Sequence, residues 1–259
     1  MYTIGFVGCG NMGGALAKAV SAVVGGENVF LCDLTLEKRD ALAKELNAKA
    51  CEINEIGRCN YVFLGVKPQN IRETLSELKQ HLSFGATLIS MAAGVSTDDI
   101  LNIMGDIPLI RIMPNTPVAV GKGTILYCER NVRNIELFKN MLSKAGELLE
   151  ISENLIDAGS AVSGCGPAFG YMFIEAMADG AVKCGLPRAD AIKLAAETLA
   201  GAAEMVLKTG EHPEKLKDNV CSPGGSTIAG VHALEEGNFR GTVMNCIIKA
   251  FEKTKELSK

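Results

Sequence analysis

Thr3-Ile4-Gly5-Phe6-Val7-Gly8-Cys9-Gly10-Asn11-Met12-Gly13-Gly14 is the stretch from which the architecture of this chain can be read. An apolar, strand-like run opens into glycines spaced Gly-x-Gly-x-x-Gly, and the small, helix-favouring Ala15-Leu16-Ala17-Lys18-Ala19-Val20 follows. The glycines therefore stand where a strand turns into a helix. In that setting Gly8 takes a tight turn, Gly10 lets backbone approach a pyrophosphate, and Gly13 removes the Cβ that would hold helix and strand apart. The free N–H groups and positive dipole end of the helix then face phosphates, which predicts dinucleotide binding.

The next strand is read from Asn28 to Cys32 and ends at Asp33, where a dinucleotide fold places an acid for the adenosine ribose hydroxyls. A carboxylate there repels a ribose phosphate and favours NADH. Two alternatives stay open at this point. Asp33 also suits a turn, with Thr35 capping a helix through Lys44, and Lys38 and Arg39 stand close enough in sequence to receive a phosphate.

Three further apolar runs end in small or rigid residues. Tyr61 to Val66 stops at Lys67-Pro68, Thr87 to Ser90 at Met91-Ala92-Ala93-Gly94, and Leu109 to Met113 at Pro114-Asn115-Thr116-Pro117. Strand ends of this kind, converging on one sheet edge, predict a ligand site, although Lys67 alone is equally read as a solvated loop lysine. Strands are also expected at Gly123 to Tyr127 and Glu147 to Ile151, with a helix over Asn134 to Ala145 between them.

After about residue 155 the strand pattern ceases. Helices are expected from Gly166-Pro167 towards Gly185, from Pro187 to Lys208, from Thr227 to Glu236 and from Phe239 to Lys255. The second carries many alanines and permits close helix approach, either within one chain or against a second copy. The expected fold class is an α/β Rossmann-like dinucleotide-binding domain over residues 1–157, followed by an all-α domain over residues 158–259.

Composition narrows the function classes. The chain has 259 residues, 47% hydrophobic content and a formal net charge of −4, with a pI near 5.5. No nucleic-acid partner is expected from that balance. No apolar run reaches membrane-spanning length and no leader pattern precedes the first strand, so no membrane partner is expected and a cytoplasmic location is. Nine cysteines without a Cys-x-x-Cys pair read as reduced thiols, and three dispersed histidines suggest no metal centre.

A second constellation lies at Lys217-Asp218-Asn219-Val220-Cys221-Ser222-Pro223-Gly224-Gly225-Ser226-Thr227. Its glycines permit unusual backbone angles, and Ser226 and Thr227 bring hydroxyls and N–H groups to a helix start. That suits a small carboxylate, or simply a turn and cap.

Taken in order, Gly-Cys-Gly-Asn-Met-Gly, Val66-Lys67-Pro68, Ala92-Ala93-Gly94, Met113-Pro114-Asn115-Thr116-Pro117, Ser163-Gly164-Cys165-Gly166-Pro167-Ala168 and Asp218 to Thr227 resemble pyrroline-5-carboxylate reductase, from Thr3 to about Leu257. The resemblance implies reduction of 1-pyrroline-5-carboxylate to L-proline with NADPH or NADH, the last step of proline biosynthesis. It also implies a C-terminal dimerisation domain and a homodimer that builds larger rings, up to a decamer. By position in those motifs Gly8, Gly10, Asn11 and Met12 would meet the pyrophosphate, and Gly13 of the same turn and Asp33, read above at the ribose, complete the expected cofactor contacts. Val66, Lys67, Pro68, Ala92, Ala93 and Gly94 would line the cofactor, with Asn219 touching it. Glu153, Gly225, Ser226 and Thr227 would hold the substrate, Thr227 acting on the ring nitrogen. Asp33 departs from the small polar or basic residue usual in NADPH-preferring relatives, and Cys165 stands where serine is common.

Hydride transfer to a protonated imine needs mainly alignment, in keeping with a sequence that offers no Ser–His–Asp set and no metal site. A β-hydroxyacid dehydrogenase would need an acid–base group, for which Lys183 and Lys193 have no supporting motif. A non-catalytic NAD(P) sensor and a reductase of the six-membered imine are the other readings to be separated by assay.

Overall fold

Short apolar runs rich in branched and aromatic side chains form one eight-stranded sheet, and the amphipathic stretches between them form helices on its faces. The computed structural model describes residues 2–257. In chain order its first part runs β1 (Ile4–Val7), α1 (Asn11–Val24), β2 (Val29–Cys32), α2 (Leu36–Leu46), β3 (Lys49–Ala50), α3 (Ile53–Ile56), β4 (Tyr61–Leu64) and α4 (Ile71–Lys79). It continues through β5 (Thr87–Ser90), α5 (Thr97–Met104), β6 (Leu109–Met113), β7 (Gly123–Arg130), α6 (Ile135–Met141), β8 (Gly146–Glu150) and α7 (Ile156–Ser163). The helical remainder is α8 (Gly166–Lys183), α9 (Arg188–Thr209), α10 (Pro213–Asn219), α11 (Ser226–Glu236) and α12 (Phe239–Leu257).

Strand order is β3-β2-β1-β4-β5-β6-β7-β8. Every neighbouring pair is parallel except β6–β7. The chain moves outward from β1 to β3 and returns to β4 on the other side, so the order switches at β1. Register carries the consequence: Val7 lies beside Cys32 and Leu64, Leu64 beside Ser90, and Ser90 beside Arg111. Gly8, Asp33, Gly65 and Met91 therefore leave the sheet along one edge, at the place where open α/β sheets bind ligands.

Both faces of the sheet are covered. Ile4, Phe6, Phe63, Ile89 and Ile110 pack with Leu16 and Val20 of α1, while Val7, Val62, Leu64 and Leu88 pack with Leu75 and Leu78 of α4 and Ile100 of α5. Burial on both sides is why these strands are continuously apolar rather than alternating.

Several elements differ from the sequence expectation. The strand expected to reach Val66 ends at Leu64, and Asn28 lies outside β2 with its amide donating to the Val24 carbonyl at 2.7 Å. The helix expected to Ala145 stops at Met141, whereas β7 runs on to Arg130. β3, α3, α7 and α10 carry no readable period: the first two are too short, α7 is rich in Gly and Ser, and α10 has no apolar stripe. Thr35 occupies the N-cap position of α2 without a side-chain bond. Instead Asp33 Oδ1 accepts the Thr35 N–H at 2.7 Å.

The chain forms two compact units, divided after Cys165 and, where the chain returns, before Ala250. The division falls later than residue 157 because α7 belongs with the sheet. Ile156 is fully buried with Met113 and Leu126, and a Cβ on Gly159 would lie 2.5 Å from Leu126 Cδ1. In the second unit Ala178 of α8 and Ala191 and Ala195 of α9 form the buried core, flanked by Ile174 and Met177.

Candidate active site

The glycine turn is held by backbone contacts that leave no room for side chains. Gly8 has φ +98°, and a Cβ there would sit 2.7 Å from the carbonyl carbon and oxygen of Gly65. A Cβ on Gly13 would lie 2.0 Å from the Gly8 carbonyl oxygen, so α1 reaches the turn only as glycine. Gly10 is different, since nothing beyond its adjoining residues lies within 4 Å of its Cβ position. A cleft of about 690 Å³ runs beside it between α1, α2 and the turn that follows β6, lined by Gly10, Asn11, Lys18, Lys38, Val118 and Lys144 among others, and it does not extend to Asp33, Lys67 or Ala93. The two packed glycines shape the turn, and the open one is the surface left for a ligand. No side chain caps the N-terminus of α1, so its first N–H groups are available to phosphate. These features fit a dinucleotide.

Asp33 braces this turn. Its Oδ2 accepts the Cys9 N–H at 2.6 Å while its Oδ1 accepts the Thr35 N–H, tying the β1–α1 turn to the β2–α2 turn. The acid is thus both a turn-former and a fixed negative charge beside the glycines. Arg39, one of two cations considered for a ribose phosphate, is turned to other partners: Asp40 at 2.8 Å, Glu52 at 2.9 Å and the Cys51 carbonyl at 3.4 Å.

The remaining strand ends lie along the same edge. Lys67 is exposed in extended backbone before a 3₁₀ turn at Pro68–Asn70, and Val66 packs partly on the core. Ala92 is buried, so it offers backbone rather than side chain, whereas Ala93 is exposed and Gly94 has φ +72°.

Just beyond this loop lies a charge cluster in which Arg111 is buried and the two carboxylates around it are half-buried. Glu153 accepts the Thr97 N–H at 2.7 Å and the Thr97 hydroxyl at 2.6 Å, and pairs with Arg111 Nη1 at 3.1 Å. Arg111 Nη2 lies 3.5 Å from Asp157. Burial pushes the Glu153 carboxyl up, but the Thr97 hydrogen bonds and the Arg111 charge outweigh it, and the group titrates below its ordinary value. Both oxygens of Glu153, a residue assigned to substrate by resemblance, are therefore engaged within the first unit, where they fix the start of α5. Asn115 is similarly engaged, donating to the Ser163 carbonyl at 2.9 Å and accepting the Thr124 N–H at 2.8 Å. Sequence reasoning passed over Arg111 and Thr97. A lone cation inside Leu109–Met113 was the available signal, because a charge in a strand buried on both faces requires partners.

In the helical unit Asn219 ends α10 and is exposed. The chain then turns through Gly224, with φ +66°, and the Gly225 N–H donates to the Ser222 carbonyl at 3.0 Å. Gly225 is the N-cap of α11 and provides no side-chain acceptor, so Ser226 and Thr227 stand exposed at an uncapped helix start. The helix begins one residue earlier than expected. Among the described residues, no group of His, Cys, Asp and Glu is placed to hold a metal ion, and no helix is long and apolar enough to cross a membrane.

Comparison with known proteins settles the family. A family model described as pyrroline-5-carboxylate reductase dimerisation matches residues 153–257, and one described as NADP oxidoreductase, coenzyme F420-dependent, matches residues 3–94. The chain is 40% identical to the pyrroline-5-carboxylate reductase of Escherichia coli, over 99% of this chain and 98% of that one. It belongs to the pyrroline-5-carboxylate reductase family. The Arabidopsis thaliana member is 39% identical over 99% of this chain and 96% of its own. The Plasmodium falciparum enzyme, solved with NADP bound, superposes with a TM-score of 0.88 at 33% identity, covering 100% and 98% of the two chains. This family member is accordingly an NAD(P)H-dependent oxidoreductase with a Rossmann-like first unit and a helical region matching the family's dimerisation domain.

Proposed function

We propose that the chain reduces the C=N bond of 1-pyrroline-5-carboxylate to L-proline. Full-length likeness to reductases of that name supports the reaction, and the uncapped start of α11 at Gly225–Thr227 is the structural observation that carries the substrate assignment. NAD(P)H, when bound, supplies the hydride. Gly8, Gly10, Asn11, Met12 and Gly13 would hold its pyrophosphate. Val66, Lys67, Pro68, Ala92, Ala93 and Gly94 would line it, with Asn219 as a further contact.

For the substrate, N–H groups at Gly225 and Ser226 would bind the carboxylate, and the Thr227 hydroxyl would hydrogen-bond the ring nitrogen, holding the imine in its electrophilic, protonated form. Glu153 enters indirectly, by fixing the loop that follows β5. The same reading makes the protein a cytoplasmic enzyme of proline biosynthesis. The helical unit would pair two copies, the dimers assembling further into rings such as a decamer. Thr227→Ala is expected to lower kcat/KM for the five-membered imine by about 10²–10³ while leaving cofactor affinity unchanged. An unchanged specificity constant removes Thr227 from the mechanism. Oxidation of NADH or NADPH only with the six-membered imine would reassign the substrate, a discrimination worth about 1–3 kcal/mol per methylene.

A further inference from the structure

The corner where β2 meets α2 holds an ion-pair arrangement that bears on which dinucleotide the chain accepts. Asp33 cannot swing aside there, because its two oxygens are fixed by the Cys9 and Thr35 N–H groups at 2.6 and 2.7 Å. Its charge therefore stays beside the glycine turn. A 2′-phosphate at this position needs a cation, and folds of this type use a nearby arginine for it. Arg39, in the first turns of α2, is the guanidinium at this corner. The Arg39 N–H donates to the Thr35 carbonyl at 3.1 Å, and the Thr35 N–H is the one Asp33 accepts, so the backbone of Arg39 starts one turn from this corner.

Yet Arg39 is already occupied. Its Nε pairs with Asp40 at 2.8 Å and its Nη1 with Glu52 at 2.9 Å and the Cys51 carbonyl at 3.4 Å, leaving its side chain only 13% exposed. Cys51 and Glu52 follow β3, the edge strand, so these contacts draw the guanidinium towards the rim of the sheet.

We infer that Glu52, helped by Asp40, selects against 2′-phosphorylated dinucleotides by holding Arg39 away from the Asp33 corner, so that this chain takes NADH in preference to NADPH. Glu52 is a positioning residue in this scheme. It does not touch the nucleotide; it determines where Arg39 points. The inference rests on the dinucleotide reading of the first unit and is independent of the imine.

The test is a pair of dissociation constants, for NADH and NADPH, measured by nicotinamide fluorescence titration of the full chain without substrate. Wild type should bind NADH more tightly. In Glu52→Gln the Kd for NADPH should fall about two- to fivefold, the modest size expected of a partly exposed ion pair, with NADH affinity unchanged. Adding Arg39→Ala to Glu52→Gln should abolish that gain, and raising the salt concentration should shrink it. Circular dichroism of each variant separates altered selectivity from altered folding. Tighter binding of NADPH by wild type, or an unchanged NADH-to-NADPH ratio in folded Glu52→Gln, overturns the inference. Binding of both nucleotides with no turnover of any imine leaves it standing and counts against the proposed reaction instead.

Discussion

The α/β unit and the helical unit use their apolar residues in opposite ways. In the first, Phe6 and Phe63 stack at 4.5 Å within strands that are fully buried, and Ile4, Leu16, Leu31, Leu64 and Leu88 expose nothing. In the second, the buried core is built on Ala178, Ala191 and Ala195, while Tyr171, Met172, Leu194, Leu207 and Met244 are each more than half exposed. Their glycines tell the same story. Gly8 and Gly13 are hemmed in by backbone, but Gly170, Gly180, Gly201 and Gly230 have no atom from outside their own helical turns within 4 Å of a Cβ position. The sheet unit closes its own core. The helical unit presents an apolar surface that a second copy, as proposed, would cover.

The largest effect that sharpens this contrast is expected at Gly13. Gly13→Ala drives a methyl into the Gly8 carbonyl, which overpacks a backbone contact and costs roughly 3 kcal/mol. Urea unfolding and NADH titration should show lost stability and lost nucleotide affinity together. Wild-type values for both would mean that α1 does not press on the turn.

Next in size is the helical surface. Leu194→Glu combined with Met244→Glu should convert the protein to monomers in light scattering and make its Tm insensitive to protein concentration. Phe84→Glu, at a fully exposed position of the sheet unit, should change neither. A double variant that stays associated would break the comparison, because the exposed helical face would then have some other role.

The smallest effect concerns pH. Glu153 titrates below its ordinary value in the fold, so its contribution is fully present above the unfolded carboxyl pKa of about 4.3 and is lost as pH falls through the lower, folded value. Glu153→Gln should cost about 1–2 kcal/mol at neutral pH, since buried Arg111 keeps only Asp157, and should flatten the acid limb of Tm against pH. Equal acid limbs in the two proteins would show that the pair contributes nothing.

Much of the first unit was legible because its signals are local. Thr87–Ser90 and Leu109–Met113 were read to the residue, since an apolar run of that length between turn formers has few other states. β3 and α7 were not, because a two-residue strand and a Gly- and Ser-containing helix acquire their structure from neighbours. The candidate site divides similarly. Its glycines announce themselves by spacing, whereas the engagement of Glu153 with Thr97, 56 positions away in the chain, leaves no trace in either local pattern.

Spacing and residue type alone dictated the strand–turn–helix at Gly8–Gly13, the parallel α/β plan and the helical second half. Each follows from backbone sterics and short-range periodicity, which neighbouring residues impose on one another. Folding in three dimensions determined that Asp33 braces the glycine turn, that Arg39 is drawn to Glu52, and that Glu153 is an anchor in the first unit. Those outcomes are contests among charged groups for partners, and the winner depends on distances that exist only after the sheet has formed.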